Sequence, residues 1–232
     1  SDRPEHFGNP RETDESLYAM VIAARKAGFQ AATHAIGDAA NHQVLNVYEK
    51  VLKEIPEPKD HRFRIEHAQV ISLEDIPRFA ALGILPSMQT CHATSDKNMA
   101  ESRVGPERIK GAYAWRKLIN AGSIIPNGTD APVELVNPYQ NLFAAVTRMD
   151  TEGQPPGGWY PEEKMTREEA LKSYTIWGAY ADFKETTSGS IEKGKWADFV
   201  VIDKDYMSCP EMEIKDINAL LTVVAGEVLY SR

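Results

Sequence analysis

Three short segments of this sequence end in a residue type that commonly binds metal ions: His34, His67 and Asp130. His34 and His67 are 33 positions apart, and Asp130 follows His67 by 63 positions. One strand–helix unit takes ~30–40 residues, so the spacing predicts that the three residues end strands n, n+1 and n+3 of one parallel sheet. Two imidazoles and a carboxylate at one sheet edge suit a hydrolytic site of the zinc type, in which a metal ion activates water.

Asp130 has two interpretations, because it follows Gly128 and Thr129 and precedes Pro132. An aspartate in this context commonly forms a turn and caps the next helix. In the functional interpretation it is a carboxylate beside the metal, which accepts a proton from the activated water and passes it to the leaving group.

His92 and Asp96 lie in the segment that follows the third predicted strand. A loop histidine and aspartate can contact substrate or polarise a carbonyl group, and they can equally be solvated loop residues, so both interpretations stay open. Cys91 precedes His92 directly, and neighbouring side chains of an extended chain point apart. Adjacency alone therefore does not make Cys91 and His92 a catalytic pair.

The elements that must position these residues alternate between strand and helix, which predicts an α/β fold with a parallel sheet. Hydrophobic periodicity and turn residues predict helices at 14–27, 39–54, 72–82, 106–120, 138–149 and 166–182, strands at 29–34, 62–67, 84–89 and 123–126, and a loop at 90–105. Beyond residue 186 the sequence becomes rich in strand-forming residues, at 197–202, 219–224 and 227–230. We therefore expect one domain over residues 1–186 and a small β segment over 187–232.

Composition narrows the functional classes. The 232 residues carry a net charge of −8 and form no basic run, which argues against a nucleic-acid partner. No apolar stretch approaches the ~18 residues of a membrane span. Two cysteines make no disulfide framework, so we expect a cytoplasmic protein. The chain starts at a serine with a polar stretch over residues 1–10 that is expected to be coil, as if cut from a longer chain.

Several segments together resemble the amidohydrolase superfamily, and specifically its amidohydrolase family 3 branch of YtcJ-like and N-substituted formamide deformylase-like proteins. The matching segments include Arg-Ile-Glu-His-Ala-Gln and Asn-Gly-Thr-Asp-Ala-Pro-Val, and they cover residues 27–40, 64–69, 86–96, 127–133 and 189–203. Members of this family fold as a (β/α)8 barrel with a small β-sandwich built from both chain ends. They use a bound metal, most commonly zinc, to hydrolyse amide-type carbon–nitrogen bonds of small molecules.

The resemblance implies roles for individual residues. The family's metal-binding histidines of strands five and six correspond to His34 and His67. The catalytic, metal-bound aspartate of strand eight corresponds to Asp130. The histidine after strand seven, which lies near substrate in the family, corresponds to His92, and Asp96 follows it in the same segment.

The sequence also departs from the family pattern, because it contains no His-x-His pair of the kind that the family carries on strand one. The chain therefore resembles the C-terminal half of the barrel, strands five to eight, followed by the β segment. We expect such a half to bind metal weakly, to be inactive alone, and to self-associate or to associate with the missing N-terminal half. The alternatives are a non-catalytic binding or regulatory chain that keeps the fold, and an unrelated open α/β sheet with structural histidines.

Overall fold

The computed structural model describes residue 5 and residues 8–232, and these form two compact units. The first unit comprises the chain up to Met88 together with Asp96–Ile125, and the second comprises Gln89–Ser95 together with Pro126–Arg232. Most of the coil expected over residues 1–10 lies outside the described residues. The domain boundary expected at residues 186 and 187 stays a prediction.

The first unit contains a parallel three-stranded sheet covered by helices, as the alternating pattern predicts. The strands are β1 (Ala32–Ala35), β2 (Arg64–His67) and β3 (Leu85–Ser87), in the order β1-β2-β3. The helices are α1 (Asp14–Lys26), α2 (Asp38–Glu54), α3 (Ile76–Leu82), α4 (Thr90–Asp96, of which Asp96 belongs to this unit), α5 (Ala100–Arg108) and α6 (Trp115–Asn120).

Helix α2 packs on one face of this sheet through a buried tyrosine. The Tyr48 hydroxyl is hydrogen-bonded to Thr33 Oγ1 at 2.7 Å and donates to the Arg64 carbonyl at 2.9 Å. The Tyr48 ring also lies 5.0 Å from the ring of Phe63, which is fully buried. Thr33 therefore faces α2, and because side chains alternate along a strand, its neighbour His34 faces the opposite side of the sheet.

Three sequence predictions in this region are wrong. Residues 123–126 form no strand: at the first of them Ser123 N–H bonds back to the Leu118 carbonyl of α6, and directly after them Asn127 N–H donates to the Ser173 carbonyl. The loop expected over 90–105 is mostly helical, in α4 and α5. The helix expected over 106–120 is interrupted by a 3-10 turn over Ile109–Gly111 and by left-handed backbone at Tyr113 (φ 50°).

The second unit combines helices with an antiparallel sheet. It contains the first six residues of α4 and three further helices: α7 (Pro138–Thr147), α8 (Arg167–Tyr174) and α9 (Ile176–Ala181). Its strands are β4 (Phe199–Ile202), β5 (Ala219–Val224) and β6 (Glu227–Ser231), in the order β4-β5-β6. The three strands form where the sequence predicts them. A capping box formed by Thr166 and Glu169 begins α8.

Across the part of the chain that the structure describes, no helix has the length and apolar character needed to cross a membrane. The cytoplasmic location expected from the sequence, and the absence of a nucleic-acid partner, remain predictions.

Candidate active site

His34 and His67 lie at the carboxyl ends of the adjacent strands β1 and β2. Their ring centroids are 4.3 Å apart, with the ring planes inclined by 71°. His34 is exposed and His67 is 9% exposed. The structure therefore brings together two of the three metal ligands predicted from the sequence.

The close approach of the two rings depends on the backbone at His67. Strand register pairs His34 with Glu66, and Ala35 with His67. In a regular strand His67 would thus face α2, the side opposite to His34. His67 instead has a φ of 73°, in the left-handed region that a non-glycine residue rarely adopts, and this turns its ring towards His34.

The sheet face that carries His34 is polar. Arg64 Nε donates to Glu66 Oε1 at 2.8 Å, and Arg64 Nη1 donates to Gln30 Oε1 at 3.0 Å. Both Arg64 and Glu66 are only half-buried, so this ion pair remains partly solvated. Glu66 is thus the ion-pair partner of an arginine two positions earlier in the same strand.

Asp96, a predicted substrate contact, takes part in a hydrogen-bonded cluster of the first unit. Asp96 Oδ2 accepts from the Tyr113 hydroxyl, and from Gln69 Nε2 at 3.1 Å. Tyr113 N–H donates to the Gln69 carbonyl at 2.7 Å, which closes the cluster. Since Gln69 follows His67 by only two positions, these bonds hold the chain directly after the histidine. Reasoning from sequence missed Gln69 and Tyr113, because their partners are distant in the chain.

His92, the other predicted substrate contact, lies in α4 and is 7% exposed. Burial, with a smaller contribution from the Glu134 carboxylate, raises the pKa of the neighbouring Cys91 thiol to about 12. Cys91 is therefore protonated at neutral pH. A thiol in that state is a poor nucleophile, which agrees with its exclusion from a catalytic pair.

Asp130 lies in an exposed turn of the second unit with left-handed backbone (φ 54°). Its carbonyl accepts from Val133 N–H at 2.8 Å. Asp130 does not cap the following helix, because Asn137 caps α7 and its side chain accepts from Tyr139 N–H. The structural interpretation of Asp130 is thus correct in placing it in a turn and wrong in expecting it to cap the next helix.

Among the residues that the structure describes, no group of three or more His, Cys, Asp and Glu side chains is arranged to hold a metal ion. The two imidazoles of His34 and His67 fit a divalent metal by their chemistry, since imidazole nitrogen is a common zinc ligand. Asp130 belongs to the other compact unit, and its place in the metal site stays a prediction.

The sequence of this chain is similar to those of several known proteins. A sequence model described as "Amidohydrolase family" matches residues 2–230. The chain is 37% identical to the Arabidopsis thaliana protein LONG AFTER FAR-RED 3, over 99% of this chain and 39% of that protein. It is 34% identical to the putative amidohydrolase YtcJ of Bacillus subtilis, over 100% of this chain and 43% of that protein. It is 29% identical to the N-substituted formamide deformylase of Arthrobacter pascens, over 98% of this chain and 41% of that protein.

The fold has a counterpart among solved structures. An uncharacterized metal-dependent hydrolase from Pyrococcus horikoshii matches with a TM-score of 0.77 and 29% identity, over 90% of this chain and 41% of that one. The chain thus spans about two fifths of the length of the proteins that it matches.

Proposed function

This chain belongs to the amidohydrolase family, and on that premise we propose that it supplies His34, His67 and Asp130 to a metal-dependent hydrolase of small amide-type molecules. The carbon–nitrogen bond as the point of cleavage is supported by the similarity to an N-substituted formamide deformylase. The metal dependence is supported by the similarity to a metal-dependent hydrolase of known structure.

The contact between the His34 and His67 rings, 4.3 Å between centroids, carries this proposal. Two imidazoles at the carboxyl ends of neighbouring parallel strands lie where α/β folds hold their catalytic groups. A divalent cation, most simply Zn²⁺, would supply a Lewis acid that activates water at neutral pH. In this proposal Asp130 accepts the proton from the attacking water, and His92 and Asp96 orient the substrate.

We further propose that β1, β2, β3 and the segment 123–130 correspond to strands five to eight of a (β/α)8 barrel. The parallel order β1-β2-β3 and the helices between the strands support this correspondence. The antiparallel sheet β4-β5-β6 would then be part of a small β-sandwich, with residues 1–186 and 187–232 as the two domains.

The 232 residues alone are expected to bind metal weakly and to be inactive. Members of the family hold their metal with a further His-x-His pair, which this sequence lacks, so His34, His67 and Asp130 would form an incomplete set of ligands. A non-catalytic binding chain is the alternative that the same observation favours. Hydrolysis of an N-substituted formamide by this chain with tightly bound zinc would refute the expectation of inactivity.

Calorimetric titration with Zn²⁺ tests the proposal. His34→Gln and His67→Gln are each expected to weaken the affinity by about 10–100-fold or more, since even outer partners of a metal ligand contribute that much. The matched control is His42→Gln, because this half-exposed histidine of α2 pairs with Asp75 instead. Unchanged affinity in both site variants, or an equal loss in the control, would contradict the proposal.

A further inference from the structure

Asn141 of helix α7 is fully buried, and its side-chain amide forms hydrogen bonds through both the oxygen and the nitrogen. Asn141 Oδ1 accepts from Cys91 N–H at 2.6 Å, and the single proton of the Thr90 hydroxyl is shared between the Asn141 carbonyl at 2.8 Å and Oδ1 at 3.1 Å. Asn141 Nδ2 donates to the Gly128 carbonyl at 2.7 Å and to the Tyr174 hydroxyl. One side chain thus joins two segments that are distant in the sequence.

Both segments lead directly to predicted site residues, and both belong to the second unit. Thr90 and Cys91 immediately precede His92, while Gly128 lies two positions before Asp130. Nothing would lie within 4 Å of a Cβ at Gly128. A side chain at this position would thus have no packing partner, whereas the Gly128 carbonyl is held by the hydrogen bond from Asn141.

A second asparagine reinforces the connection. Asn127 Oδ1 accepts from Thr90 N–H at 3.2 Å, and Asn127 Nδ2 donates to Thr90 Oγ1 at 3.1 Å. Asn127 also donates from its backbone to the Ser173 carbonyl of α8 at 3.1 Å. Thr90 is therefore held by two buried or half-buried amides at once, and the chain before Asp130 is tied to both α4 and α8.

We propose that Asn141 is a positioning residue, which sets the geometry between the segment carrying His92 and the segment carrying Asp130. This inference rests on the proposed function for the roles of those two residues. Burial of an amide is costly unless every polar atom is satisfied, so an apolar side chain would serve if packing alone were required. Displacement of a reacting group by 1 Å can reduce a rate by about 10²-fold. A side chain that holds both segments in place would therefore maintain the reaction rate.

Hydrogen exchange of the metal-free chain, followed by mass spectrometry, tests this role. Asn141→Leu removes the side-chain bonds to Cys91, Gly128 and Tyr174 and keeps the bond from Thr90 to the main-chain carbonyl. We expect exchange to become about tenfold faster in both 89–95 and 127–133. Gln140→Ala is the matched control, one position earlier on the same helix and outside this set of bonds. It should leave both segments unchanged.

Asn141→Asp separates positioning from simple support and remains informative if the leucine variant fails to fold. Its carboxyl can still accept from Cys91 and Thr90 at any protonation state, but it can donate to Gly128 only when protonated. We expect residues 89–95 to stay protected from exchange. Residues 127–133 should exchange faster than in wild type, and this difference, corrected for the intrinsic exchange rate, should increase with pH. An equal effect on both segments, no pH dependence, or faster exchange spread over β4–β6 would overturn the inference. The Zn²⁺ titration tests His34 and His67, which belong to the first unit, whereas hydrogen exchange is measured on the metal-free chain. A Zn²⁺ affinity that does not depend on either histidine would therefore contradict the proposed function and leave this result unaffected.

Discussion

The backbone at His67 shows how a single residue can determine the geometry of the candidate site. Left-handed backbone costs roughly 1–2 kcal/mol per non-glycine residue, and both His67 (φ 73°) and Ala68 (φ 44°) adopt it. Such strain persists only where the surroundings hold it in place. Here the hydrogen bonds among Gln69, Asp96 and Tyr113 hold the next residue along the chain, so the cluster stabilises the turn that directs His67 towards His34.

Tyr113→Phe tests this supporting role, because it removes only the hydroxyl that donates to Asp96. We expect the free energy of unfolding to fall by about 1.5–2 kcal/mol, the lower part of the range for hydrogen bonds to charged groups, since Asp96 is half-buried. Urea unfolding measures the change. Tyr230→Phe, at a 47% exposed position, is the control and should be close to neutral. Equal effects in the two variants would show that the hydroxyl of Tyr113 contributes nothing specific.

At the scale of elements, the sequence predicts the helices and strands that depend on residues close together in the chain. Periodicity and turn residues are enough for α1, α2 and the start of α8, and the alternation of strand and helix is enough for β1 and β2. The prediction of a strand at 123–126 is wrong because a strand depends on hydrogen-bonded neighbours that local sequence does not specify; Ser123 N–H instead bonds back to the Leu118 carbonyl.

For the candidate site too, the sequence predicts the features that depend on spacing along the chain and not those that depend on distant contacts. Spacing along the chain predicts that His34 and His67 end neighbouring strands, which the structure confirms. Spacing cannot predict the left-handed backbone at His67. It also cannot predict that Tyr113 and Asn141 bond to residues 44 and 50 positions away, because these contacts exist only in the folded chain.

His61 connects two elements and makes their packing sensitive to pH. Its Nδ1 accepts from Phe63 N–H at 3.0 Å, just before β2, and its Nε2 donates to the Leu82 carbonyl at 2.9 Å, at the end of α3. The ring is therefore neutral. Burial, with a smaller effect of the Arg25 charge, lowers the pKa of His61 below its ordinary value of 6.5, although the Leu82 carbonyl partly opposes this.

The unfolded chain therefore binds a proton at His61 more readily than the folded chain does. Its stabilising contribution is complete above pH 6.5 and is lost as the pH falls below that value. We expect the wild-type free energy of unfolding, measured in urea from about pH 5 to 8, to fall towards acid, and His61→Gln to lack this part of the slope. His42→Gln should retain it. Parallel slopes for wild type and His61→Gln would contradict the assignment.

At the scale of the whole molecule, the antiparallel sheet of the second unit exposes much apolar surface. On β6, Val228 is 60% exposed and Leu229 is 65% exposed, and the sheet order leaves β4 and β6 as its outer strands. An outer strand with apolar side chains readily pairs with another chain. We propose that the isolated chain self-associates through this sheet, although a net charge of −8 opposes close approach at low salt.

Light scattering of wild type and of Leu229→Lys tests this proposal. A lysine on an outer strand disfavours edge pairing, so the variant should shift towards the monomer mass of 25.9 kDa while wild type lies above it. Ile191→Lys is the matched control, because Ile191 is 84% exposed but lies outside the three strands. Added salt should increase the association of wild type by screening its charge. A monodisperse wild-type monomer, or an equal shift in both lysine variants, would mean that the sheet is not the associating surface.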